Sequence, residues 1–158
     1  AAAYLRRYGA DPHAVSQLFK EDDASVILRA KIITEMKKPI PGLAVSVHSG
    51  GAQNDRNVSV VVAQAADELL TMNDIHVSAV LNESDDGVSI SARSDGSVNV
   101  QTMMEELGGG GHQTVAGVQI KGAKAEDLIP KIIEMAKEQM KESDSDEGNS
   151  AEGRKEVG

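Results

Sequence analysis

The sequence predicts an α/β domain on a mixed β-sheet of about four to five strands, packed with helices and preceded by a helical connector. Three observations carry that prediction. Leu43, Val45 and Val47 alternate with Ala44, Ser46 and His48, the period of a strand. Val88, Ile90 and Ala92 alternate in the same way with Ser89, Ser91 and Arg93. Between these segments Val58, Val61, Val62, Ala65, Ala66, Leu69 and Leu70 recur at helical spacing.

Taken in order, residues 1–40 read as three short helices of a connector. Residues 1–8 are helix-prone, and Gly9 stands where a C′ glycine ends a helix. Asp11-Pro12 offers an N-cap and an N1 proline to a helix carrying Val15, Leu18 and Phe19. Glu21-Asp22-Asp23 opens a third helix, with Val26, Ile27, Ala30, Ile33 and Met36 as its apolar stripe and Pro39 and Pro41 as its stop. The chain lacks an initial Met and starts in what reads as mid-helix, so it is expected to be a piece of a longer protein.

The domain itself is expected over residues 41–141. After the first strand, residues 50–57 form a polar loop, and Asn57 is expected to cap the helix of Val58 to Leu70. Asn73-Asp74 turns the chain. Strands at 75–81 and 88–93 are joined by a hairpin connection over 82–87. Asn99 is expected to cap a helix with Val100, Met103, Met104 and Leu107 inward, ended by Gly108. A strand follows at 115–120. A last helix runs from about residue 125 to 141, with Ile129, Ile132, Ile133, Ala136 and Met140 inward and Pro130 in or near its first turn. Residues 142–158, acidic and polar, are expected to be a disordered tail.

Composition narrows the chemistry. The 158 residues allow one domain plus ancillary segments. Aromatics make up only 2%, so the core is aliphatic. There is no Cys, which excludes disulfides, thiolate metal sites and a Cys nucleophile, and fits a reducing compartment. The net charge of −9 argues against binding long nucleic acid. No apolar run reaches membrane-spanning length. His13, His48 and His76 lack metal spacing, and Glu21-Asp22-Asp23 and Asp85-Asp86 read as a helix start and a turn. No arrangement suited to covalent catalysis or water activation is visible.

One stretch stands apart. Gly108-Gly109-Gly110-Gly111-His112 strips the Cβ from a loop at a cost of roughly 1 kcal/mol per glycine relative to alanine. Close approach of backbone N–H groups to an anion is a physical reason for such a run, with His112 adding a donor. No Lys-Ser/Thr follows it and no strand leads into it, so neither phosphate-loop fingerprint fits. Arg93 and Ser94 end a strand upstream; a guanidinium fork beside a hydroxyl suits phosphate oxygens. The expectation is a shared anion site, with Arg93 on the strand end and the glycines opposite.

These residues also carry a resemblance. Ile90 to Ser94, Val98-Asn99-Val100-Gln101, Leu107 to His112 and Ala116-Gly117 resemble the substrate-binding C-terminal domain of the DHH phosphoesterases. Ala65 to Leu70 and Ala1 to Arg7 resemble the narrower group of bacterial membrane-bound cyclic-di-AMP phosphodiesterases. The resemblance implies that an N-terminal DHH domain, absent from this sequence, holds two Mn²⁺ ions that activate water. It implies that the present domain grips the nucleotide through Arg93, Ser94, Asn99, Gly109, Gly110, Gly111 and His112, with no catalytic residue, metal ligand or cofactor of its own. The implied ligand is a cyclic dinucleotide or a short oligonucleotide, and the implied setting is the cytoplasmic side of a membrane-anchored protein, with homodimerisation open. Related oligoribonucleases share the glycine loop. An RNA-binding module, by analogy with a glycine-rich domain of alanyl-tRNA synthetases, and a purely structural or oligomerisation domain are the rivals.

Overall fold

Two apolar faces, one on each side of a single sheet, organise the fold. The computed structural model describes residue 12, residues 22–50 and residues 55–152, with side chains to residue 145. Apart from residue 12, the helices expected over 1–8 and 11–19 lie outside the described residues. The elements are α1 (Asp23–Thr34), β1 (Lys37–Ile40), β2 (Leu43–Ser49), α2 (Arg56–Leu70), β3 (Val77–Ser84), β4 (Gly87–Ser94), α3 (Val100–Glu106), β5 (Gly110–Gly111), β6 (Val115–Lys121) and α4 (Ala125–Glu152).

The sheet has six strands in the order β1-β2-β3-β4-β6-β5. Only β2 and β3 run parallel, and α2 makes the crossover a parallel pair requires. Strand alternation sends Leu43, Val45, Val77, Ala79, Leu81, Val88, Ile90, Ala92, Ala116 and Val118 to one side, where α3 and α4 cover them. Fully burying a side chain such as Leu81, Met104 or Ile132 contributes about 1.5–3 kcal/mol. The other side is smaller: Ala44 and Val80 meet Ile32 of α1 and Val61, Val62, Ala65, Ala66 and Leu69 of α2. Here α2 packs on β3 and β4 and leaves the same face of β6 and β5 open.

The strand count exceeds the expected four to five because two short edge strands carry no alternation. β1 holds Pro39, which an edge strand tolerates because its outward side needs no donor. β5 is two glycines whose strand character exists only through pairing, Gly110 with Gly117 and Gly111 with Ala116. α1 and β1, expected in a connector ending at residue 40, pack on and pair with the sheet: Ile32 is buried and Lys37 pairs with Val45. The inward face of α1 matches expectation in part: Ile33 and Met36 pack as expected, together with Ile32 and Leu28, while Val26 and Ile27 are exposed.

Other boundaries move for local reasons. Asp55, not Asn57, caps α2, its carboxylate accepting from the N–H groups of Asn57 and Val58. β3 and β4 extend to a tight Asp85-Asp86 turn. Pro130 is the sixth residue of α4, past the first turn, so its missing N–H forgoes a bond to the Glu126 carbonyl. The tail expected to be disordered from residue 142 is helical as far as Glu152. No proline or glycine interrupts it between Pro130 and Gly148, and Ser143 ties it down by donating to the Ser97 carbonyl.

Candidate functional site

Three of the four glycines of the run have a physical reason within the fold. Gly108, at φ +94, is the C′ residue of a Schellman motif. Its N–H bonds the Glu105 carbonyl and the Gly109 N–H bonds the Met104 carbonyl, closing α3. Gly109 crosses β6 so closely that a Cβ would stand 2.3 Å from the Gly117 carbonyl oxygen and 2.5 Å from the Val118 Cβ. Gly111, at φ +147, would put a Cβ 2.5 Å from the Val115 carbonyl oxygen. Gly110 alone of the four has neither a strained φ nor a neighbour within 4 Å of an added Cβ.

His112 donates its N–H to the Val115 carbonyl (2.6 Å). In an antiparallel ladder hydrogen-bonded positions alternate, so Gly110 bonds inward to β6 and the Gly111 N–H faces outward from the sheet edge. Alternation also puts Gly110 and His112 on the open side of the sheet.

Arg93 lies on that same side. It pairs with Val115, and Val115 meets His112, so the three occupy one row with Arg93 and His112 about 10 Å apart, two strand spacings. The guanidinium is already anchored. Nε donates to Asp67 Oδ1 of α2 at 2.7 Å and Nη1 donates to the Ala92 carbonyl at 3.0 Å. The Arg93 side chain is 13% exposed and that of Asp67 63%, so the carboxylate reaches over from α2 to fix a largely covered cation. Nη2, with two N–H groups, makes no hydrogen bond among the described residues.

The remaining expected site residues sit elsewhere. Ser94 is buried on the opposite side of the sheet from Arg93, and its hydroxyl accepts from the N–H groups of Gly96 and Val98. Asn99 caps α3, its Oδ1 accepting from the Thr102 N–H, while Gln139 of α4 clasps its main chain from both sides (2.6 and 3.0 Å). Both residues shape the segment between β4 and α3 rather than meeting Arg93.

Between α2 and the glycine edge runs a cleft of about 440 Å3. Ser59 and Val62 of α2 form one wall, Ser89 and Ser91 of β4 with Gly117 and Gln119 of β6 the floor, and Gly109 the far side. A second cavity, of about 530 Å3, lies at the opposite edge of the sheet among Glu35, Lys37, Pro39, Val45, Val47 and Ile129; it is mostly apolar and away from the glycine loop.

Sequence reading missed Asp67, whose partner is 26 residues away and is brought near only by topology. It also missed the cleft floor, although the shared face of Ser89, Ser91 and Arg93 pointed to a polar surface there. His48 and Asp95 are among the groups that are electrostatically shifted. Burial, with Lys31 acting in the same direction, pushes the His48 pKa down. Burial raises the Asp95 carboxyl, but hydrogen bonds from Ser97 and His76 outweigh it and hold the group below its usual value.

Comparison with known proteins returns a consistent set. The family model of the DHHA1 domain matches residues 43–142. The chain is 45% identical over 121 residues to a cyclic-di-AMP phosphodiesterase of Geobacillus thermodenitrificans, covering 76% of this chain and 18% of that protein. It is 39% identical over 134 residues to a cyclic-di-AMP phosphodiesterase of Listeria monocytogenes, covering 84% and 20%. The chain therefore spans about a fifth of the length of these curated relatives. A bifunctional oligoribonuclease and PAP phosphatase of Thermus thermophilus is 28% identical over 116 residues, covering 72% and 34%. Among solved structures, an exopolyphosphatase-related protein from Bacteroides fragilis shares the fold, with a TM-score of 0.72 at 16% identity, over 90% of this chain and 43% of that one.

Proposed function

The chain belongs to the DHHA1 domain family, and from that premise we propose that it is the nucleotide-gripping part of a phosphodiesterase acting on cyclic di-AMP. One observation carries the reading. Arg93, Gly110 and His112 share one open side of the sheet, and Gly110 is the glycine of the run that packing does not demand. A phosphate there meets the free Nη2 edge of Arg93 on one flank. On the other it meets the His112 ring, which shares that side of the sheet and supplies a donor suited to an anion. Asp67 holds the guanidinium in place, so little side-chain entropy is lost when the phosphate arrives.

Among the described residues no three His, Asp or Glu side chains gather to hold a metal, so these residues do not fit a manganese centre. In this reading the Mn²⁺ and the water it activates come from a DHH domain outside this sequence. Residues 41–141 then act as the substrate-binding domain, residues 1–40 lead in from that catalytic partner, and the protein works on the cytoplasmic side of a membrane. No helix among the described residues is long and apolar enough to cross one.

Titration of the chain with cyclic di-AMP and with linear pApA tests the reading. Arg93→Ala is expected to weaken binding about tenfold, equal to one charge-assisted contact of about 1.4 kcal/mol. Unchanged affinity would remove the site. Manganese-dependent turnover by this chain alone would overturn the division of labour. A short linear oligonucleotide is the second reading, supported by the oligoribonuclease relative from Thermus thermophilus; tighter binding of pApA than of the cyclic compound favours it.

A further inference from the structure

We propose that the floor of the cleft, Ser89, Ser91 and Gln119, is a subsite for the nucleoside, reading the edge of an adenine base and its sugar hydroxyls while phosphate goes to the Arg93–His112 row. The proposal rests on the nucleotide-binding reading above and assigns the uncharged half of the ligand.

The first support is unspent hydrogen-bonding capacity. On this side of the sheet Ser46 donates to the Ile32 carbonyl (2.6 Å) and Ser78 to the Ala66 carbonyl (2.7 Å), so both hydroxyls serve helix packing. Ser89, Ser91 and Gln119 make no such bond among the described residues, and all three line the cleft. Strand register makes this a continuous feature. Gln119 pairs with Ser89, Ser89 with Asn82, and Asn82 with His48, one polar row across four strands. Asn82 is fully buried, and among the described residues neither its Oδ1 nor its Nδ2 has a partner. A fold does not ordinarily leave an enclosed amide unpaired, so the row reads as polar for a reason other than packing.

The second support is charge. Among the described residues no charged side chain lines the cleft, whereas a phosphate group calls for cations or clustered N–H donors. Hydroxyls and a primary amide instead suit a sugar and a base edge. The Gln119 amide sets a donor beside an acceptor, which matches the N6 donor and adjacent ring-nitrogen acceptor of adenine. Among the described residues no aromatic ring lines the cleft, and its polar side chains are ones that read a base edge. The volume, about 440 Å3, falls within the roughly 300–1,000 Å3 range of small-molecule sites.

Calorimetric titration of the full chain with pApA, pUpU and inorganic pyrophosphate tests this. Gln119 is exposed, so Gln119→Leu spares the fold; Ser89→Ala combined with Ser91→Ala is the second variant. Both are expected to weaken pApA about tenfold, erase its preference over pUpU and leave pyrophosphate within about twofold, since tenfold is the loss of about 1.4 kcal/mol of contacts. Arg93→Ala is expected to weaken all three ligands. If both floor variants keep the pApA preference while Arg93→Ala abolishes binding, the nucleoside subsite is wrong and the phosphate site stands. A wild-type chain that binds pApA and pUpU equally also rejects the subsite. If Arg93→Ala changes nothing, the parent reading fails.

Discussion

An alanine scan of the glycine run separates folding from binding. At residue 109 the new Cβ stands 2.3 Å from a carbonyl oxygen and 2.5 Å from a carbon, so β5 must shift away from β6. Overpacking of this kind costs about 1–3 kcal/mol. Residue 111 adds a φ of +147 to a 2.5 Å clash, so Gly111→Ala should cost at least as much. Gly108→Ala meets nothing within 4 Å and carries only left-handed strain at φ +94, about 1–2 kcal/mol. Gly110→Ala meets nothing and needs no unusual φ, so it should be neutral or gain about 0.4–1 kcal/mol from a stiffer unfolded chain. Each kcal/mol moves the melting temperature of a chain this size by about 2–4 °C. Thermal melts should therefore drop for residues 109 and 111, drop less for 108, and hold or rise for 110. Titration with pApA on the same samples should show Gly110→Ala binding at least about tenfold more weakly, because its methyl occupies the space left for ligand. A Gly110→Ala protein that melts as low as Gly109→Ala, or binds like wild type, refutes the separation.

Other consequences follow from single contacts. Asp67→Ala leaves Arg93 Nε without its carboxylate. The exposed partner makes the stability loss small, at most about 1 kcal/mol, but dinucleotide binding should fall several-fold. The same change in an Arg93→Ala background should do nothing, and additive losses in that double-mutant cycle would break the link. Asn82→Leu replaces an enclosed amide lacking partners among the described residues with an apolar group of similar shape and should raise stability by about 1–3 kcal/mol in urea unfolding; a fall would mean the amide has a partner. Because the folded pKa of His48 lies below its ordinary value of 6.5, the unfolded chain binds the extra proton. Stability from this group is complete above that value and declines as pH falls below it, a slope that His48→Gln should remove. Asp95 acts with the same sign in a lower window: its contribution is present above 3.8 and lost as pH falls through its depressed folded value.

What was legible in the sequence was whatever rests on local periodicity or a single capping residue. The alternation of Val88 to Arg93 gave both faces of β4, Asn99 was read as the cap of α3, and Gly108 as its end. What was not legible depends on partners distant in the chain. β5 is only two glycines until Gly117 and Ala116 pair with it. The tie from Asp67 to Arg93 needs the β2–α2–β3 crossover to exist first. Ser94 sits next to Arg93 in sequence, but successive strand residues face opposite sides, so its hydroxyl turns away from the row. The cost counted against four glycines likewise redistributes once β6 is in place, because three of them serve the fold and Gly110 alone has neither a clash nor an unusual φ.

Amide chemical-shift mapping of the isotope-labelled chain during titration with pApA bears most directly on the central claim that backbone and guanidinium on one open side of the sheet grip a nucleotide. The largest changes should fall on residues 109–112, on Gly117 and Gln119, and along Ser89 to Arg93, and Arg93→Ala should suppress them. Changes centred instead on the mostly apolar cavity of Pro39, Val47 and Ile129, or none at saturating ligand, would contradict it.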